Sequence, residues 1–110
     1  MKKLRIIVEQ NSIKSSYTHD DTGSILQHTN YHGNGRIITN IHVPEEHRNK
    51  GIATKLLNDI KKDADSTKTN LFLEIQDRGG MNKDQLHNWY TKHGFKNIKN
   101  SGVYGRKPEL

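Results

Sequence analysis

The chain has 110 residues, enough for one domain with a single core and little to spare, and residues 1–110 are read as one such domain. Only 30% of its residues are hydrophobic and none is cysteine, which excludes disulfides, thiolate zinc sites and a cysteine nucleophile and makes a cytoplasmic home the expectation. No apolar run approaches membrane-spanning length, and the net charge of +6 favours anionic partners, although acids interleaved along the chain argue against nucleic acid.

Residues 4–8 are β-branched and predict a first strand, and residues 13–19 a weaker second one. Asp20-Asp-Thr-Gly23 is a turn signal. Residues 24–31 alternate as a strand does, with Ile25 and Gln27 on one side and Leu26 and His28 on the other. His32-Gly-Asn-Gly35 carries the Asn-Gly dipeptide that suits a tight hairpin. Residues 36–43 form the next strand, with Ile37, Thr39, Ile41 and Val43 expected on one face. An antiparallel meander therefore feeds a basic turn, at which Pro44 stops the strand and a helix begins at about Gly51. Leu56, Leu57, Ile60 and Ala64 recur at helical spacing and give that helix a buried face.

After a polar break over residues 65–70, Leu71-Phe-Leu-Glu-Ile75 is the strongest strand signal in the chain, and Asp77-Arg-Gly-Gly80 ends it. A second helix is predicted over residues 82–93, with Leu86, Trp89 and Tyr90 at helical spacing and Gly94 as its stop. Residues 95–98 and 103–107, around Gly102, can supply two short closing strands.

The strand–turn–helix between Ile41 and Leu57 carries the most information. It aims free backbone N–H groups and the positive end of a helix dipole at one point, which makes an anion site. Gly51 removes Cβ where a phosphate must approach, and Ala53 keeps the same side open. Arg48 and Lys50 add positive charge, and Thr54 can donate a hydroxyl. Arg48-Asn-Lys-Gly-Ile-Ala53 fits the pattern Gln/Arg-x-x-Gly-x-Gly/Ala, and Ile41-His-Val43 fits the strand that leads into it. Here the chain resembles the GNAT family, the Gcn5-related N-acetyltransferases. A second stretch, Leu86-His-Asn-Trp-Tyr-Thr-Lys-His-Gly-Phe95, resembles the family's other signature, an aromatic–Tyr pair four residues before Gly-Phe. Together the two cover residues 36–95 in the family's order.

The resemblance implies an α/β (α+β) fold, a mixed and mostly antiparallel central sheet with two main helices, in a minimal version. The segment between the first two predicted strands has no room for the N-terminal helices of larger members. It implies acetyl-CoA as co-substrate, bound through Ile41, His42, Val43, Arg48, Asn49, Lys50, Gly51, Ile52, Ala53, Thr54 and Asn82. An acceptor amine would attack the thioester directly, with Tyr90 protonating the departing thiolate as general acid. Asn82 departs from the pattern, since the family's CoA-contacting Asn falls seven residues before the Tyr, where Lys83 stands here. Glu74 and His42 are the nearest titratable candidates for a base, each better suited to a structural role. An open acceptor side favours a protein lysine or N-terminus over a small buried amine, in a monomer or homodimer. His28-x-x-x-His32 has metal-like spacing, but it lies in a strand and turn without a supporting cluster, so no metal is expected. The alternative reading is a catalytically silent GNAT-like basic module that binds nucleic acid or a protein.

Overall fold

The computed structural model describes residues 12–74, 81–99 and 101–109. The predicted strand at residues 4–8 and the turn at residues 77–80 lie outside them. In chain order the elements are β1 (Ser16–His19), β2 (Ser24–Tyr31), β3 (Gly35–His42), a 3-10 turn (Glu45–His47), α1 (Ile52–Thr67), β4 (Leu71–Glu74), α2 (Lys83–Lys92), β5 (Lys96–Asn97) and β6 (Val103–Arg106). The strands form one six-stranded sheet in the order β1-β2-β3-β4-β6-β5.

The expected meander is present as antiparallel β1–β2 and β2–β3 pairs. Its second turn uses the glycines of the His32–Gly35 stretch, where His32 and Gly33 both take positive φ. The chain then crosses over through α1, and β4 pairs with β3 in parallel, after which β6 and β5 close the sheet antiparallel. A parallel neighbour requires such a crossover, and the helical spacing of Leu56, Leu57, Ile60 and Ala64 supplies it; all four are fully buried. The mixed, mostly antiparallel sheet with two helices is thus the fold the sequence led us to expect.

One expectation about β3 is overturned. Gln27 pairs with Asn40 and His28 with Ile38, so Thr39 is an extra residue on β3, a β-bulge. The bulge flips the alternation, so Ile37, Thr39, Ile41 and Val43 do not share a face. Instead Ile38 is buried in the core while Ile41 and Val43 pack against it, and Thr39 is exposed.

Both helices cover the same face. Leu26, Ile38, Leu71, Leu73 and Tyr104 from the strands join Ile52, Leu56, Leu57 and Ile60 from α1 and Leu86 and Tyr90 from α2 in one core. On the other face the rings of Tyr31 and Phe72 meet at 4.8 Å, both half-buried. Phe72 lies against two glycines: a Cβ on Gly35 would fall 2.8 Å from its Cε1, and one on Gly105 3.3 Å from its Cδ2.

The far end of α1 is tied to the sheet. Arg106, its side chain 4% exposed, holds Asp65 through both guanidinium nitrogens at 2.9 and 3.1 Å. Burial works against the charge on Asp65, but the Arg106 and Glu109 N–H donors outweigh it and hold its carboxyl below the usual range.

Candidate functional site

The parallel pair β3–β4 and the helix between them put one end of the molecule in the position where open sheets bind ligands, outside the carboxyl ends of the strands. The β3–β4 ladder has three rungs, Arg36–Leu71, Ile37–Phe72 and Ile38–Leu73. Beyond Ile38, β3 continues to His42 and, among the described residues, no longer pairs with β4. The bulge falls at the first position past the last rung. Among the described residues, which on β4 end at Glu74, β3 alone continues past this rung as the arm of a fork, with Ile41 turned to the helix side and His42 exposed on the other.

The basic turn closes the β3 arm of that fork. Pro44 caps the 3-10 turn, whose bonds run from His47 N to Pro44 O at 2.9 Å and from Arg48 N to Glu45 O at 3.3 Å. Arg48 reaches back across the turn and donates from Nε to the Val43 carbonyl at 2.9 Å. Asn49 and Gly51 both adopt left-handed conformations, with φ of 64° and 79°. Gly51 is the N-cap of α1 and supplies no side-chain cap, and the first helix bond runs from Lys55 N to Gly51 O at 3.0 Å. The N–H groups of Ile52, Ala53 and Thr54 consequently face the space around the turn. No acidic residue sits in the first turn of α1, and a Cβ on Gly51 would meet nothing within 4 Å. These are the properties of an anion cradle: open space, oriented N–H donors, a helix dipole and no competing carboxylate in the helix itself.

Of the residues singled out in the sequence, Ile41, His42, Val43, Arg48, Asn49, Lys50, Gly51, Ile52, Ala53 and Thr54 form one continuous path from the fork to the helix N-terminus. Lys50 is exposed on it. Asn82 stands apart as the N-cap of α2. Its Oδ1 accepts from Gln85 N at 2.9 Å, and its own N–H is met by Gln85 Oε1 at 3.0 Å, a capping box that commits the carbonyl to the helix. Glu74 is exposed at the end of β4, opposite Val103.

Tyr90 lies on the inner face of α2, 5% exposed, with its ring centroid 5.7 Å from Tyr104 and 6.4 Å from Phe95. Trp89 is half-buried against the core, and His93 stacks edge-on beside it at 4.9 Å. Two residues at this end went unremarked in the sequence. Tyr104 of β6 is 2% exposed, and its hydroxyl is hydrogen-bonded to Nδ1 of His87 on α2. The helical step from His87 to Tyr90 was legible; the pairing of α2 with β6 was not.

His28 is occupied structurally. Arg36 donates from Nε to its Nδ1 at 3.0 Å, which leaves Nε2–H to donate to the Lys14 carbonyl at 2.7 Å. Burial, reinforced by the Arg36 charge, pulls its pKa down, so the neutral ring is the resident form. His32 sits exposed in the adjoining turn, and the two do not form a ligand pair. Among the described residues no helix is long and apolar enough to cross a membrane.

Comparison with known proteins gives a family. The model of the acetyltransferase (GNAT) domain matches residues 7–97. Solved structures with the same fold include the ribosomal-protein-S18-alanine N-acetyltransferase of Escherichia coli, 13% identical with a TM-score of 0.67 over 91% of this chain and 74% of that one. A GNAT-family acetyltransferase of Staphylococcus aureus Mu50 is 17% identical, with a TM-score of 0.59 over 78% of this chain and 60% of its own. The PaiA N-acetyltransferase of Thermoplasma acidophilum, solved with coenzyme A, is 20% identical, with a TM-score of 0.58 over 82% of this chain and 57% of its own. The chain thus spans about three fifths of the length of the latter two. No curated protein matches the sequence significantly.

Proposed function

This chain belongs to the GNAT acetyltransferase family, and from that membership we propose that residues 1–110 act as one domain that moves an acetyl group from acetyl-CoA to a primary amine. The single observation that carries the reading is the turn after β3: a left-handed Gly51 before an uncapped helix N-terminus, with open space at its Cα and no acid in the first helical turn. A pyrophosphate needs those features; a purely structural strand-to-helix connection needs none of them.

The co-substrate supplies an activated acetyl thioester. The N–H groups of Ile52, Ala53 and Thr54, with the charges of Arg48 and Lys50, hold its diphosphate. The segment from Ile41 to Val43 offers backbone groups along the open arm of the fork to its pantetheine part and polarises the carbonyl. Attack by the neutral amine forms the C–N bond as the C–S bond breaks, the Tyr90 hydroxyl gives its proton to the leaving sulfur, and the surplus proton on the new amide nitrogen returns to the Tyr90 oxygen. No covalent intermediate on the enzyme is needed, so the chemistry rests on holding the two reactants together.

For the acceptor we favour an amine on a protein, a lysine or an N-terminus. The support is the short connection between the first two predicted strands, which cannot form covering helices on the acceptor side. The E. coli relative, a ribosomal-protein-S18-alanine N-acetyltransferase, points the same way. The test is a transfer assay with labelled acetyl-CoA against protein, peptide and polyamine acceptors, beside titration calorimetry of acetyl-CoA. Binding at one site per chain with transfer to protein amines is the expected result. Absence of binding at millimolar acetyl-CoA would leave the fold and remove the activity, turning the chain into a binding module.

A further inference from the structure

The amine must reach the thioester neutral, and neither titratable residue first considered is well placed for that: His42 faces away from the helices and Glu74 is exposed at a strand end. Tyr104 is placed differently. It pairs with Leu73, and Leu73 with Ile38, so Tyr104 stands in the row of the last described rung of the β3–β4 ladder. It lies on the helix-covered face, its ring 5.7 Å from that of Tyr90. Its hydroxyl is buried, yet it is bonded to Nδ1 of His87, and His87 is exposed to solvent one helical turn before Tyr90. A buried hydroxyl joined to a solvent-facing imidazole is a proton path from the buried face beside Tyr90 to water. On α2, Lys83 and Asp84 lie one turn before His87 and Tyr90 one turn after it, and Tyr104 faces it from β6.

We propose that Tyr104 and His87 together carry away the acceptor's proton, an inference that rests on the acetyl-transfer reading above. The acceptor ammonium gives its proton, directly or through one water, to the Tyr104 oxygen. The hydroxyl proton of Tyr104 passes to Nδ1 of His87, and the imidazolium releases its Nε2 proton to solvent. The freed lone pair forms the C–N bond, so the step balances with no further reactant. Tyr104 is the group that meets the amine; His87 acts through it.

The experiment is the pH dependence of kcat with acetyl-CoA and poly-L-lysine, for the parent, Tyr104→Phe, His87→Gln and the double variant. Each single substitution should lower kcat at least about 10-fold near neutral pH, the lower end of what acid–base help supplies. The double should fall no further than the worse single, because the two groups form one path. The deficit should shrink as pH rises towards about 10, where a growing share of lysine amines is neutral without help. The thermal shift given by acetyl-CoA should be unchanged in all four. Parental profiles in either single, a deficit equal at every pH, or a double that falls by the product of the singles would each overturn the path while leaving acetyl transfer intact. A parent that neither binds acetyl-CoA nor acetylates poly-L-lysine would overturn the earlier reading, and this one with it.

Discussion

Replacing Gly51 with alanine separates the two demands made on that position. Its φ of 79° lies in the left-handed region, where a residue with a Cβ is disfavoured by roughly 1–2 kcal/mol. The new methyl meets no atom within 4 Å, so no packing penalty adds to the conformational one. For a domain of this size each kcal/mol moves Tm by about 4–8 °C, so unliganded Gly51→Ala should melt roughly 4–16 °C below the parent. The ligand effect is separate. Acetyl-CoA at about 100 times the parental Kd stabilises the parent by about 2.7 kcal/mol. If the methyl stands where the diphosphate approaches and weakens binding about 10-fold, the same concentration stabilises the variant by only about 1.4 kcal/mol. Gly51→Asn is the companion, because asparagine tolerates the left-handed conformation better than alanine yet places a larger group in the cradle. It should recover part of the lost Tm and lose at least as much of the ligand shift. Differential scanning calorimetry with and without acetyl-CoA reads both. A Gly51→Ala protein that melts lower but keeps the full parental ligand shift would refute the assignment of the diphosphate to this turn.

Tyr90→Phe should lower kcat about 10-fold or more with acetyl-CoA affinity unchanged, read by steady-state rates beside calorimetric titration; a parental rate removes the residue from the chemistry. Asp65→Asn leaves buried Arg106 with only the exposed Glu109 carboxylate at 3.9 Å and should cost about 3 kcal/mol in denaturant unfolding, against little change for an exposed pair such as Lys55–Asp59. The Asp65 carboxyl is held below its ordinary range, so its contribution is present above the unfolded value of 3.8 and should fade as pH drops through the lower folded value. His28 titrates at higher pH with the same sign. Its folded pKa lies below 6.5, so the stability it confers is present above that value and is lost on acidification, more steeply in the parent than in His28→Gln; coincident stability curves for the two between about pH 7 and 5 would contradict the buried neutral imidazole.

How far the sequence could be read depended on the range of the interaction involved. The Gly51 turn, the α1 face and the extent of α2 are set by residues within a few positions of one another, and all were legible. The bulge at Thr39 was not, because a single extra residue leaves composition and alternation nearly unchanged while reversing which side chains point inward. Arg106 and Asp65 are separated by 41 positions and read as ordinary surface charges until β6 is laid beside β4. Tyr104 went unnoticed for the same reason. Its neighbour His87 is on another element, and a tyrosine in a short terminal strand gives no local sign of a partner. Asn82 shows the converse: a residue assigned to a ligand from its place in a motif has a sufficient local occupation as a helix cap.

The Asp65–Arg106 pair stands at one end of the three-rung ladder. The row Arg36–Leu71–Arg106 is the closed end of the fork, and the row Ile38–Leu73–Tyr104 its mouth. The sheet is built like a pair of tweezers, with β1–β3 as one blade and β4–β6 as the other. α1 runs from the tip of the first blade to the pivot, and there Arg106 rivets it to the second. A wedge pressed into the mouth loads that rivet. Loosening it should therefore be felt at the tips, about four turns of helix away, as a grip that closes less firmly on whatever the tweezers hold.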